Sequence, residues 1–221
     1  METQKTPRNE RGFALVELVI VVAIALIIAA MAVPTFISTR RNFRAMGDAR
    51  DIAADILVAK MRAASDFTQA RARFNTAANN GYATNTFQLE IWDQANGVWA
   101  IDAPTGTMSL SQGITLGFGA QANPPAGTQA AIAQGNSTAA DAACYTGPSG
   151  GAPGVEIADT ACVVFNSRGI PVDRTGAPTS DDAIYITDGS GVYATTVSAT
   201  GLLQPWRIDE ADTNAADWLK R

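Results

Sequence analysis

Glu17 is a carboxylate with apolar residues on both sides, in the string RGFALVELVIVVAIALIIAAMAVP. A carboxylate in a hydrocarbon environment costs about 2.5 to 3.5 kcal/mol, so it calls for a cationic partner. Phe13 lies four residues earlier. A cut between Gly12 and Phe13 would create an α-amino group one helical turn from Glu17, able to neutralise it on the same chain or on a neighbour. The alternative is that Glu17 sits at a membrane interface and reaches water. Cys144 and Cys162 bracket a Gly-, Pro- and Ala-rich stretch and are open to two readings, a disulfide in an exported body or two unrelated thiols. Gly147-Pro148-Ser149-Gly150-Gly151 has the spacing of a nucleophile elbow, but the chain holds no histidine, so it cannot supply a Ser-His-Asp triad. Two cysteines without histidine fall short of a zinc site. Asp173, Asp181, Asp182 and Asp188 are the carboxylates available for calcium, yet no Asp-x-Asp-x-Asp-Gly ladder organises them, and they read as solvated loop acids. No enzyme activity, metal or cofactor is expected.

The elements that must position Glu17 are read from periodicity. The apolar run from Phe13 matches the roughly 20 residues that cross a hydrocarbon core. Pro34 at its far end removes a helical hydrogen bond and reads either as a helix kink or as a simple membrane exit, and helical character resumes beyond it. Ala45, Ala49, Ile52, Ile56, Ala59 and Ala63 recur at three- and four-residue intervals, with Asp48, Asp51, Asp55 and Arg62 expected on the opposite, outward face. If continuous, this stem would extend roughly 75 Å. After Asp66 the period changes. TFQLEIWDQANGVWAID predicts a hairpin of Thr86 to Trp92 with Val98 to Asp102. Ala70 to Thr76, MSLSQGITLGF, CVVFNSRGIPVD and the segment from Ala183 to Ile208 are further strand candidates. Ala120 to Gly154 reads as a long loop. The fold class is therefore α+β, a long N-terminal helix on a C-terminal antiparallel body.

Residues up to Arg73 hold eleven Lys and Arg against seven Asp and Glu, and the remainder holds five against fourteen. An acidic body lacks the clustered cations that hold a phosphate backbone, so nucleic acid is not an expected partner.

Gly12, Phe13 and Glu17, with the basic leader before them and the apolar helix and Pro34 after, resemble the cleavage and methylation motif of type IV pilins and type II secretion pseudopilins. Ala14 stands where many members have Thr. VVFNSRGIPVD and the segment from AIYIT to LLQPWRI are similar to the end of GspH/FimT-type minor pseudopilins. The resemblance implies that prepilin peptidase cuts after Gly12 and methylates Phe13, and that Glu17 sets register against a neighbouring subunit. It also implies other pilin or pseudopilin subunits, an inner-membrane assembly platform and the lipid bilayer as partners. The implied organisation is a leader at 1–12, a transmembrane assembly helix at 13–37, an amphipathic stem at 38–66 and a periplasmic β-rich body at 67–221 with a loop-rich insertion at 120–154. The implied location is the bacterial inner membrane, N-terminus cytoplasmic, and then a filament in the periplasm or at the cell surface. Two alternatives remain: a DNA-binding minor pilin for natural transformation, and an exported binding protein whose signal peptide is cut after Ala32. Glu17 and the length of the apolar run oppose the second.

Overall fold

The computed structural model describes residues 15–78, 81–121, 123–125, 143–180, 182–212 and 214–220, and the chain divides into two compact units, Met1–Arg40 and Arg41–Arg221. A single helix, α1 (Leu15–Ser65), carries both the apolar segment and the stem. Within the second unit its buried face is Ala45, Ile52, Ile56, Ala59 and Ala63, the spacing that brings side chains onto one side of a helix. Three alanines in that set let the sheets approach the helix backbone closely.

Asp48 and Asp55 correct the expected outward polar face, because both are buried against the body. The body wraps a wider arc of the helix than one apolar stripe. Asp48 earns its place by accepting hydrogen bonds from Ser111 N (2.8 Å) and Ser111 Oγ (2.9 Å). Asp55 is only 3% exposed, and neither of its oxygens has a hydrogen-bond partner. Phe43, Leu57 and Met61, in turn, stand exposed on the side turned away from the core.

Among the described residues thirteen strands follow: β1 (Ala70–Asn75), β2 (Thr86–Asp93), β3 (Val98–Ile101), β4 (Thr107–Ser109), β5 (Thr115–Leu116), β6 (Cys144–Tyr145), β7 (Glu156–Ile157), β8 (Thr160–Phe165), β9 (Pro171–Val172), β10 (Asp182–Thr187), β11 (Gly191–Val197), β12 (Leu203–Asp209) and β13 (Leu219–Lys220). The first sheet runs β3-β2-β1-β8-β9, with β4 sharing the edge of β2. The second runs β13-β12-β11-β10-β5, and β6 pairs β7 alone. The β2–β3 hairpin lies where alternation around Asn96-Gly97 placed it, with Trp92 opposite Trp99. Its turn is held by Asp93, whose carboxylate accepts from Ala95 N, Asn96 N and Asn96 Nδ2. Those bonds, the Asn96 side chain foremost, hold the Asp93 carboxyl below its usual range. Gly97 closes the turn at φ 66°, a conformation that glycine adopts without strain.

Both sheets share one core with the stem: Ala70, Ala72 and Phe74, Phe87 and Leu89, and Val163 and Phe165 from the first, Ile184, Ile186, Tyr193 and Val197 from the second. The far face of the second sheet is also covered, by Phe118 and Trp218 packed on Tyr185. The far face of the first sheet is polar yet buried. Arg71 donates to Glu90 at 2.5 Å, Arg73 reaches the same carboxylate at 3.4 Å, and Gln88 donates to it at 2.6 Å. Burial pulls the Arg71 guanidinium down to about 10, with Glu90 opposing the fall.

Residues 143–149, expected within a loop, are a packed cover over that polar layer. Arg71 Nη1 donates to Tyr145 O at 2.6 Å, Trp99 Nε1 to Gly147 O at 3.1 Å, and Gln69 exchanges two bonds with the Ser149 backbone. The Cys144–Cys162 disulfide ties this cover to β8. The glycines of the elbow-like string serve the turn: a Cβ on Gly147 would stand 2.2 Å from Ala152 O. Cys144→Ser with Cys162→Ser is expected to lower unfolding free energy by about 3 kcal/mol, the chain-entropy value for a loop of this size. Urea unfolding of the body reads this directly, and an unchanged midpoint would mean that the Gln69 and Arg71 bonds hold the cover alone.

Candidate assembly site

Glu17 occupies the first turn of α1, where a carboxylate also favours the positive end of the helix dipole, and it is exposed. Gly12 and Phe13, which sequence reasoning pairs with it, lie outside the described residues. Around Glu17 the apolar side chains Leu15, Val16, Leu18, Val19, Ile20 and Val21 are all exposed, and the pattern continues to Ile37. A belt of this length cannot face water in a stable soluble protein; the helix is long and apolar enough to cross a membrane. In it Glu17 is the one ionisable group among residues 15–39.

At Pro34 the helix continues without ending. Proline offers no N–H to the carbonyl one turn back, and the next turn is rich in hydroxyls that hydrogen-bond the helix backbone. Thr35 Oγ1 donates to Met31 O at 3.2 Å, Ser38 Oγ to Thr35 O at 2.9 Å and Thr39 Oγ1 to Thr35 O at 2.9 Å.

The body half of the helix carries a second apolar surface that sequence reasoning missed. Phe43, Gly47, Ala54, Leu57 and Met61, with Arg50 among them, follow one another at intervals of four and three, a spacing that sets them along one side of the helix. Phe43 is 68% exposed and Met61 54%. The signal was present in the 3.5-residue spacing but was hidden by the stronger core stripe on the other side.

Among the described residues no group of three or more His, Cys, Asp or Glu is placed to hold a metal. Asp173 and Asp188 instead hold their own turns: Asp173 Oδ1 accepts from Thr175 N and Ala177 N, and Asp188 Oδ1 from Ser190 N and Gly191 N. Asp182 begins β10, and Asp181 lies outside the described residues. Ser149 is engaged through its backbone with Gln69 and has no histidine in the chain to activate it.

Residues 7–33 match the family described as the prokaryotic N-terminal methylation motif. No curated protein matches the chain. Among solved structures, the minor pseudopilin EpsH from the type 2 secretion system of Vibrio cholerae is similar at a TM-score of 0.42 and 13% identity, over 76% of this chain and 99% of that one. That likeness is too distant to argue from. The methylation motif is carried on a long apolar helix whose far half packs on antiparallel sheets.

Proposed function

We propose that the chain is a minor pseudopilin or minor pilin, a structural subunit that prepilin peptidase matures and that assembles through α1. The observation that carries this reading is the methylation motif at residues 7–33, with Glu17 set four residues beyond Phe13 at the head of an uncovered apolar helix. Cleavage after Gly12 frees the Phe13 amine, and N-methylation keeps it cationic. The bilayer stores the apolar helix before assembly, with the leader on the cytoplasmic side and the body on the periplasmic side. In the filament the same helix lies against its neighbours, and pairing of Glu17 with a neighbour's Phe13 amine fixes the axial register. Van der Waals packing supplies the cohesion between helices that leave lipid, and hydrophobic burial supplies it for the Phe43 to Met61 surface, which leaves water. Pro34 and the hydroxyls after it form the point where the helix bends to fit that packing.

The test is the N-terminal peptide mass of the protein from its native membrane, with and without prepilin peptidase. A methylated Phe13 terminus that disappears without the peptidase is expected. A mature chain that begins at Val33, or an uncut precursor in peptidase-competent cells, would overturn the proposal.

A further inference from the structure

Arg40, Arg41 and Arg44 follow the apolar belt within about one and a half turns of α1. Arg40 and Arg41 are exposed, and among the described residues neither has a hydrogen bond or an ion pair. Arg44 only donates to the neutral Gln112 carbonyl, at 3.5 Å. Asp48 is four residues beyond Arg44 and would be its natural helical partner. Asp48 instead accepts from Ser111 N and Oγ, and among the described residues it forms no ion pair with Arg44. The helical rise from Leu15 to Arg40 is about 38 Å. A bilayer is about 30 Å across its hydrocarbon and about 40 to 45 Å with its headgroups. With Leu15 at one interface, the Arg40 guanidinium reaches the headgroup layer of the opposite leaflet, where long basic side chains extend toward phosphate, and Arg41 and Arg44 follow it in the sequence. Guanidinium forks match phosphate oxygens geometrically, which suits this set to a phosphodiester.

We propose that Arg40, Arg41 and Arg44 bind the phosphates of anionic phospholipids in the leaflet that faces the body, and so set the depth at which the precursor waits before assembly. This rests on the membrane reading above. The acidic body gives the contact a purpose: with fourteen Asp and Glu against five Lys and Arg beyond Arg73, it is repelled by the same anionic surface.

The test places the full-length chain in nanodiscs of phosphatidylethanolamine and phosphatidylglycerol in equal amounts and counts the lipids retained by native mass spectrometry. Phosphatidylglycerol is expected to be enriched. Each single Arg→Gln change at positions 40, 41 and 44 should reduce the enrichment up to about fivefold and the triple change by at least tenfold, from the value of one basic residue near an anionic surface. Arg168→Gln, on an exposed body turn, should leave it unchanged. Raised salt should weaken the wild-type enrichment, which needs no variant to fold. No enrichment, enrichment that survives the triple change, or equal displacement by inorganic phosphate would overturn the proposal. Extraction of the chain from native membranes by alkaline carbonate would instead show that the membrane reading itself had failed.

Discussion

For the filament subunit proposed above, Glu17→Gln is expected to leave the chain inserted in the membrane and cut after Gly12, and to remove it from the assembled filament. The substitution keeps shape and hydrogen-bonding capacity at the head of α1 and deletes only the charge. In the bilayer that deletion is favourable, because the carboxylate is the group that hydrocarbon penalises. In the proposed filament it would strand the neighbour's Phe13 ammonium among apolar side chains such as Leu15, Val16 and Leu18, which are exposed in the single chain. Leaving one partner of a buried pair uncompensated costs about 3 to 5 kcal/mol, more than a hundredfold at each contact. Three readouts on one culture separate the steps: processed mass, membrane fraction, and cross-linking or shear release of assembled subunits. Glu17→Asp keeps the charge on a shorter arm and should recover part of the incorporation. If Glu17→Gln assembles at the wild-type level, then Glu17 is an interfacial residue that reaches water, and axial register has another source.

The same contrast between local and long-range information decides how much of the molecule was legible in advance. The stem was legible because Ile52, Ile56, Ala59 and Ala63 repeat with the helix and bury together. The β2–β3 hairpin was legible because alternation and an Asn-Gly turn are local, and the structure pairs Trp92 with Trp99 there. The order of the first sheet was not, because β1 lies between β2 and a strand that begins at Thr160. Nothing local tells Arg73 that Cys162 will stand opposite it. The burial of Arg71, Arg73 and Glu90 follows from a cover formed by residues 143–149 and tied down by the disulfide, which no local pattern in β1 or β2 announces. Asp48 failed as an outward residue for a similar reason: its partner Ser111 is distant in sequence. Glu17 stands out without any tertiary context, since a lone carboxylate in an apolar run is conspicuous.

Asp55→Asn should stabilise the body at pH 8 and leave it unchanged at pH 4. Burial of the Asp55 carboxyl under the stem raises it from 3.8 to about 7, and the charge of Asp102 adds to the rise. Asp102 is itself held by Arg62 at 3.2 Å and by Thr105, so its charge stays close to the stem and is not available to help its neighbour. A raised carboxyl binds a proton in the folded chain that the unfolded chain has released. Between pH 3.8 and about 7 stability therefore falls with pH, by about 1.4 kcal/mol per unit, and above 7 the loss is constant. The full window corresponds to at most about 4 kcal/mol. Asparagine is the neutral mimic of the protonated acid, so its curve lacks this component and diverges from wild type only as Asp55 ionises. Subtracting the two urea-unfolding curves cancels every other titrating group. Asp102→Asn should narrow the gap without closing it, because desolvation is the larger cause. Parallel curves from pH 4 to 8 would show that the Asp55 carboxylate finds compensation in solution, through water or a cation that enters beneath the stem.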